Sequence, residues 1–256
     1  MNFIIYCLSF LLLFSIGKSQ EDLPPVNLVS LPTAGTLQQG TWTLDLHLQR
    51  DGGVLSNVLI GMTSNFSLGL SYGIQSLIGD SLPSINRATP EVQVKYRLFE
   101  ESELYPAILL GLNTQGLGTF TAEDSVTNAR YDFKAVGFYT VLSKNWDVMG
   151  NLGLHLGANI NTWEGDTEEN LPNFFVGIDK NINRSIILLM EYNFGLNDKS
   201  NPYFNLDEEW PGFFNSGIRW SLSNNLQAEI SFNLIRESIK LKEVNREIRF
   251  IYNQTF

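Results

Sequence analysis

The chain has 256 residues and a formal net charge of −10, and only 17% of its residues are charged, against roughly a quarter in ordinary domains. The acidic balance leaves no cationic surplus to neutralise phosphates, which excludes a nucleic-acid binder. Aromatics at 12% and hydrophobics at 43% are too abundant for a disordered chain, and no apolar run after residue 17 is long enough for a helical membrane span.

The chain begins with an almost wholly apolar run, Phe3 to Phe14, followed by Gly17, Lys18 and Ser19. Such a run is too short to span a bilayer and suits a secretory leader with small residues before its cleavage point. Residues 1–19 are therefore expected to be a signal peptide, although no Lys or Arg precedes the apolar run. Cys7 is the only cysteine and lies inside this leader, so the exported chain would hold no disulfide, thiolate nucleophile or cysteine metal site. Pro24 and Pro25 follow, and residues 20–40 are expected to form a periplasmic N-terminal segment.

From residue 41 the recurring pattern is alternation with period two, broken by turn residues. In 66–73, Phe66, Leu68, Leu70 and Tyr72 share one face and Ser67, Gly69, Ser71 and Gly73 the other. Similar alternation runs through 91–98, 146–160 and 226–234. Twelve strands are expected, at 41–49, 54–62, 66–73, 90–98, 105–113, 130–142, 146–161, 173–180, 185–195, 213–222, 226–235 and 246–256. Those at 54–62, 105–113 and 130–142 are apolar on both faces. The connections alternate between short (63–65, 99–104, 143–145, 181–184, 223–225) and long (74–89, 114–129, 162–172, 196–212, 236–245), with the short link 50–53 as the exception.

This layout predicts an all-β fold: a single transmembrane antiparallel up-and-down β-barrel over 41–256. About twelve strands are expected, with ten or fourteen as alternatives. A spanning sheet must close on itself, because an unpaired peptide group in hydrocarbon costs several kcal/mol. Strands 41–49 and 246–256 should meet. Aromatics near strand ends, among them Trp42, Tyr105, Trp146 and Phe256 at one end and Tyr131, Trp163, Phe174 and Phe213 at the other, are expected to form interfacial girdles. The last strand carries Phe250, Tyr252 and the terminal Phe256, a pattern that resembles the assembly signal of bacterial outer-membrane barrels.

The alternation points a set of charges into the lumen: Asp45, Glu91, Lys95, Arg97, Asp132, Lys134, Glu191, Arg219, Glu229, Glu247 and Arg249. Either they pair into ladders that rigidify the interior, or they line a wet channel; the mixed signs argue against strong ion selectivity. His47 and His155 are also expected to face inward. Two histidines on distant strands without cysteine do not make a metal site, and no nucleophile motif is present, so neither an enzyme nor a cofactor is expected. Glu164, Asp166, Glu168 and Glu169 form an acidic outer loop, read as solvated carboxylates rather than a bound-ion site.

The stretch 28–49, LVSLPTAGTLQQGTWTLDLHLQ, is similar to the start of many bacterial outer-membrane barrels, and it also resembles the opening of YjbH-type barrels linked to exopolysaccharide export. The runs GMTSNFSLGLSYG (61–73) and PEVQVKYRLFEESELYPAILLGLNTQG (90–116) share that style. The resemblance implies the outer membrane of a Gram-negative bacterium. The partners it implies are outer-membrane lipids and, through the last strand, the barrel-assembly machinery. Two roles follow: a channel for small solutes or glycans, or a non-conducting structural or envelope-assembly barrel linked to polysaccharide export. An outer-membrane hydrolase is the least favoured.

Overall fold

Alternating side chains make a sheet with two unlike faces, and closing that sheet gives each face its own environment. A computed structural model describes residues 25–122, 129–165, 169–198, 212–233 and 245–256. Its strands are β1 (Thr41–Leu48), β2 (Val54–Gly61), β3 (Phe66–Gln75), β4 (Ser84–Ile85), β5 (Glu91–Phe99), β6 (Ala107–Asn113), β7 (Leu117–Thr121), β8 (Arg130–Phe133), β9 (Gly137–Asp147), β10 (Asn151–Ile160), β11 (Asn173–Asn181), β12 (Ile186–Asn193), β13 (Phe213–Ser221), β14 (Leu226–Asn233) and β15 (Asn245–Thr255). The expected leader, 1–19, lies outside the described residues.

Twelve of these strands are staves of one closed antiparallel barrel; β4, β7 and β8 are not. Each stave pairs with the next in the chain, and β1 meets β15 in register from Thr41↔Thr255 to Leu48↔Ile248. The ring therefore closes where the sequence predicts. Outward faces are apolar: Leu68, Leu70, Leu154, Leu156, Ile218, Ile230 and Phe250 are all exposed. Inward faces hold buried Lys95, His155, Asp179, Glu191 and Glu229. Apolar-out and polar-in is the inverse of a water-soluble domain and is what a lipid-embedded barrel requires. The C-terminal residue lies beside the start of β1, where the Phe256 amide donates to the Gly40 carbonyl at 2.8 Å. This end of the barrel carries the turns 62–65, 100–106, 148–150, 182–185 and 222–225 and is called the turn end. The opposite end carries the longer connections and is called the loop end.

Three departures from the sequence-based layout have physical causes. The stretch 130–142 is not one strand: it breaks before Gly137, whose φ of +79° a side chain would resist. Residues 130–133 instead pair with β7 in a separate two-stranded hairpin. The polar triplet 143–145 is not a turn either. Ser143 and Asn145 are inward polar positions of β9, which continues to Asp147 and reverses through Met149 and Gly150 with φ of +51° and +97°. The third departure concerns residues 20–40, of which the described part, 25–40, lies in the lumen rather than outside it. There Leu31 and Ala34 pack against Ala107, Leu109, Tyr139, Val141 and Phe175, while Leu28 and Val29 pack against Leu189 and Ile187. The apolar inner faces of β6 and β9 thus have a partner, which is why both faces of these strands read as apolar.

Candidate functional site

The lumen is built around the N-terminal segment. Pro25–Thr33 fold back on themselves through Leu28 N–H to Leu31 O (2.9 Å) and Thr33 N–H to Val26 O (3.2 Å). That reversal points backbone amides one way and carbonyls another, and the barrel wall answers each with charge. Glu191 on β12 accepts the amides of Val29, Ser30 and Leu31, each at about 3.0 Å. It also accepts the Ser30 hydroxyl and, at 2.8 Å, the Asn215 side-chain amide. Arg219 on β13 donates to the carbonyls of Asn27 and Leu28, both at 3.0 Å. Lys95 on β5, fully buried, donates to the Val26 carbonyl. A carboxylate taking several donors and cations taking carbonyls are charge-assisted contacts, stronger than neutral hydrogen bonds.

Wall shape matches the segment. A side chain at Gly61 would place its Cβ 2.2 Å from the Gln38 carbonyl, and one at Gly177 would meet Leu28 Cδ1 at 2.1 Å. Both glycines let the segment's backbone and side chains approach closely.

The remaining expected lumen charges fall into two groups. Along β13, β14, β15 and β1 they form a ladder. Arg219 pairs with Glu229 (2.7 Å), Arg249 approaches Glu229 (3.7 Å) and Asp45 (3.4 Å), and His47 contacts Glu247 (2.7 Å). The others sit at the two ends. Arg97 lies at the turn end, donating to Ser64 O and Asn65 Oδ1 near a β-bulge. Glu91 accepts from Arg87, Thr114 and Tyr131 near the loop end. Asp132 and Lys134, expected on a stave, belong instead to the β7–β8 hairpin and its exit. Asp132 accepts the Thr119 amide (2.8 Å), and Lys134 meets Asn197 O (3.0 Å) and Glu169 (3.5 Å).

The acidic loop is not simply solvated. Glu164 is buried and accepts the amides of Tyr131 (3.1 Å) and Ala135 (3.3 Å) and the Asn161 side chain (3.1 Å). Burial pushes its carboxyl above the ordinary glutamate range, partly offset by those hydrogen bonds. Glu169 is also buried, beside Lys134 and Arg130. Arg130 reaches Asp198 at 2.5 Å, so β8 and, through Lys134, the connection after it are tied to the loop after β10 and the loop after β12. Asp166 and Glu168 lie outside the described residues. Two expected girdle aromatics also point inward: Tyr131 and Phe213 are buried, with Phe213 edge-on to Phe133 at 5.6 Å.

One grouping has no local sequence signal. Ser143 Oγ meets His155 Nδ1 at 2.7 Å, and His155 Nε2 meets Asp179 Oδ1 at 2.7 Å. Serine, histidine and aspartate are the nucleophile, base and orienting acid of acyl transfer. Here the serine binds the imidazole nitrogen nearer the backbone, and its hydroxyl also accepts the Ala34 amide at 2.9 Å. All three are buried beneath the N-terminal segment. The trio is a hydrogen-bond relay that anchors the segment to β9, β10 and β11. Only strand register brings Ser143 opposite His155. Among the described residues no group of His, Cys, Asp or Glu is arranged to hold a metal.

Above the segment, toward the loop end, a cavity of about 120 Å³ with a mixed polar and apolar lining remains, bordered by Asn27, Val29, Ser30 and Leu31. The β7–β8 hairpin and the residues around it lean over it, and the Gln75 side chain donates to the Gly118 carbonyl at 2.7 Å.

These features define the class: a membrane-type antiparallel β-barrel whose lumen is stoppered by its own N-terminal segment. No family model matches the chain, and no curated protein does so. Solved barrels are similar to it in outline. A NanC porin aligns with 12% identity over 84% of this chain and 99% of its own, TM-score 0.47. The Acinetobacter baumannii outer-membrane protein Omp33 aligns with 7% identity over 86% and 98%, TM-score 0.44. The A. baumannii outer-membrane channel DcaP aligns with 8% identity over 84% and 95%, TM-score 0.33.

Proposed function

We propose that this chain is a bacterial outer-membrane barrel held shut by residues 25–40, so that it is non-conducting in its resting form. The observation that carries this reading is the clamp of Glu191 and Arg219 on the backbone of residues 27–31. The outward apolar band supports placement in lipid, and a secretory leader over 1–19 would deliver the chain there. The terminal strand with Phe250, Tyr252 and Phe256 would serve the barrel-assembly machinery. A structural or envelope-assembly role, including a link to polysaccharide export, agrees with a closed lumen. A second reading, a conduit for small solutes, is favoured by the cavity on the loop side, and it requires residues 25–40 to be displaced during passage.

Cross-linking tests the resting state. Ser30 Oγ and Asn215 Nδ2 are 3.4 Å apart, and replacing Cys7 removes the natural cysteine. Cysteines at 30 and 215 should join through a disulfide or a short bifunctional thiol reagent in native membranes. Their failure to react with each other, while each reacts freely with a soluble maleimide, would place the segment outside the lumen.

A further inference from the structure

The alternation of the staves does not stop at the rim. Above β3 the chain runs through residues 76–83 and returns as β4, with Ile85 opposite Ile74 and Ser84 opposite Gln75. Short turns lie on the periplasmic side of outer-membrane barrels, which puts this rim at the outer leaflet. We infer that the rim segment, residues 76–85, seats its aliphatic side chains in the outer-leaflet lipid beside the barrel, so that its partner is the acyl layer. The inference goes beyond the closed-barrel reading and rests on the reading of the outward face as lipid-facing.

Sidedness comes first. Ile74 shares the outward face of β3 with Leu68 and Leu70. Directly opposed residues share a face, so Ile85 points outward as well. Gln75 and Asn86 take the inner side, where both side chains donate to the Gly118 carbonyl, at 2.7 and 3.1 Å. Apolar-out and polar-in therefore continues past the last stave pair. The outer row is also continuous around the wall: Leu48 opposes Val54, Val54 opposes Ile74 and Ile74 opposes Ile85. On β9 and β11 the outward position at the loop end is aromatic instead, Phe138 and Phe174, and Trp163 lies edge-on to Phe138 at 5.7 Å. Such rings hold a barrel at the membrane interface, and the rim segment is their aliphatic counterpart.

Exposure and charge point the same way. Leu77, Ile78 and Ile85 are exposed, and Leu82 is 90% exposed; none of the four lines the cavity. Aliphatic side chains grouped in this way mark a contact surface, and continuity with the outward band makes that contact lipid. Asp80 is the single charged residue in 74–86, whereas the connection 162–172 carries Glu164, Asp166, Glu168 and Glu169. The segment is also held down at the rim. The Ile78 amide donates to the Gly52 carbonyl at 3.1 Å. Gly52 has a φ of +72°, and a Cβ there would lie 1.7 Å from the Ile78 carbonyl oxygen, so only glycine lets the segment lie this close to the β1–β2 link. At headgroup depth its peptide groups keep water as a partner, while its side chains reach about 5–10 Å into the acyl boundary.

Nitroxide accessibility in phosphatidylcholine vesicles tests this. With Cys7 replaced by serine the chain holds no other cysteine, so Leu82→Cys in the full chain carries one spin label. Power saturation compares collisions with oxygen, which concentrates in the acyl layer, against those with a soluble nickel chelate. The reference for water is Thr121→Cys, exposed on the β7–β8 hairpin, and the reference for lipid is Leu70→Cys on β3. The oxygen-to-nickel ratio at Leu82→Cys should exceed that at Thr121→Cys by about threefold. Heat-modifiable gel mobility checks that each variant keeps a folded barrel, and if Leu82→Cys loses it, Ile85→Cys takes its place with the same expectation. A ratio at position 82 equal to that at 121, with lipid contact at Leu70→Cys, would overturn the inference and leave the barrel in the membrane. Water contact at Leu70→Cys as well would overturn both. Spin–spin broadening at position 82 that disappears on dilution with unlabelled chain would assign the patch to a second copy and overturn the lipid assignment.

Discussion

At the scale of the residue, Glu191 bears the greatest demand. Its carboxylate satisfies three backbone amides, a hydroxyl and a side-chain amide, and removing it leaves buried donors without an acceptor. Glu191→Ala should lower stability by about 3 kcal/mol, read as a shift in the denaturant midpoint, and should expose residues 25–40 to protease. Glu191→Gln should be intermediate, because an amide keeps one acceptor but turns N–H groups toward the segment's own N–H groups. Glu164 gives a prediction with a pH sign. Its folded-state pKa is raised by burial above 4.5, so folding favours its protonated form. The stabilising difference is fully present below the ordinary glutamate value and is lost as pH rises through the raised one. Hydrogen exchange of the Tyr131 and Ala135 amides should therefore quicken as pH rises through that window, after correction for intrinsic exchange. Glu164→Gln should flatten the trend, and a slope unchanged in the variant would remove Glu164 as its cause.

At the scale of the element, the N-terminal segment and the inner walls of β6, β9 and β12 explain each other. Leu28, Val29 and Leu31 are almost fully buried, and burial of such side chains contributes about 1.5–3 kcal/mol each. If the segment left, Leu109 and Val141 would line the lumen uncovered. Gly61→Val should push the chain away at Gln38 and cost about 1–3 kcal/mol, measured by denaturant unfolding, whereas a valine at the lipid-facing Leu68 should be nearly neutral. The staves, their alternation and the β1–β15 closure were legible in the sequence, because period two is a local property. The inward direction of Lys95, Glu191, Arg219, Glu229 and Arg249 followed from the same rule. The seating of residues 25–40 was not legible as such, since a short reversal containing Pro32 has no period. Its trace was indirect, in the two-faced apolar strands 105–113 and 130–142. The Ser143–His155–Asp179 relay was invisible because its members come together only once β9, β10 and β11 are in register. The burial of Glu164 depended on a hairpin that the sequence read as part of a stave.

At the scale of the whole molecule, the barrel is a closed cylinder with an apolar outer face, its lumen holds residues 25–40 of its own chain, and a small cavity remains toward the loop end. Wall charges pair into a ladder along β13, β14, β15 and β1, while Glu191, Lys95 and Arg219 clamp the backbone of the segment. The stopper claim is tested most directly by planar-bilayer conductance of residues 20–256 beside a variant lacking 25–39, both checked for heat-modifiable folding. The first protein should insert and stay silent, while the second should give steady, reproducible current steps. Steps of equal size from both proteins would contradict it.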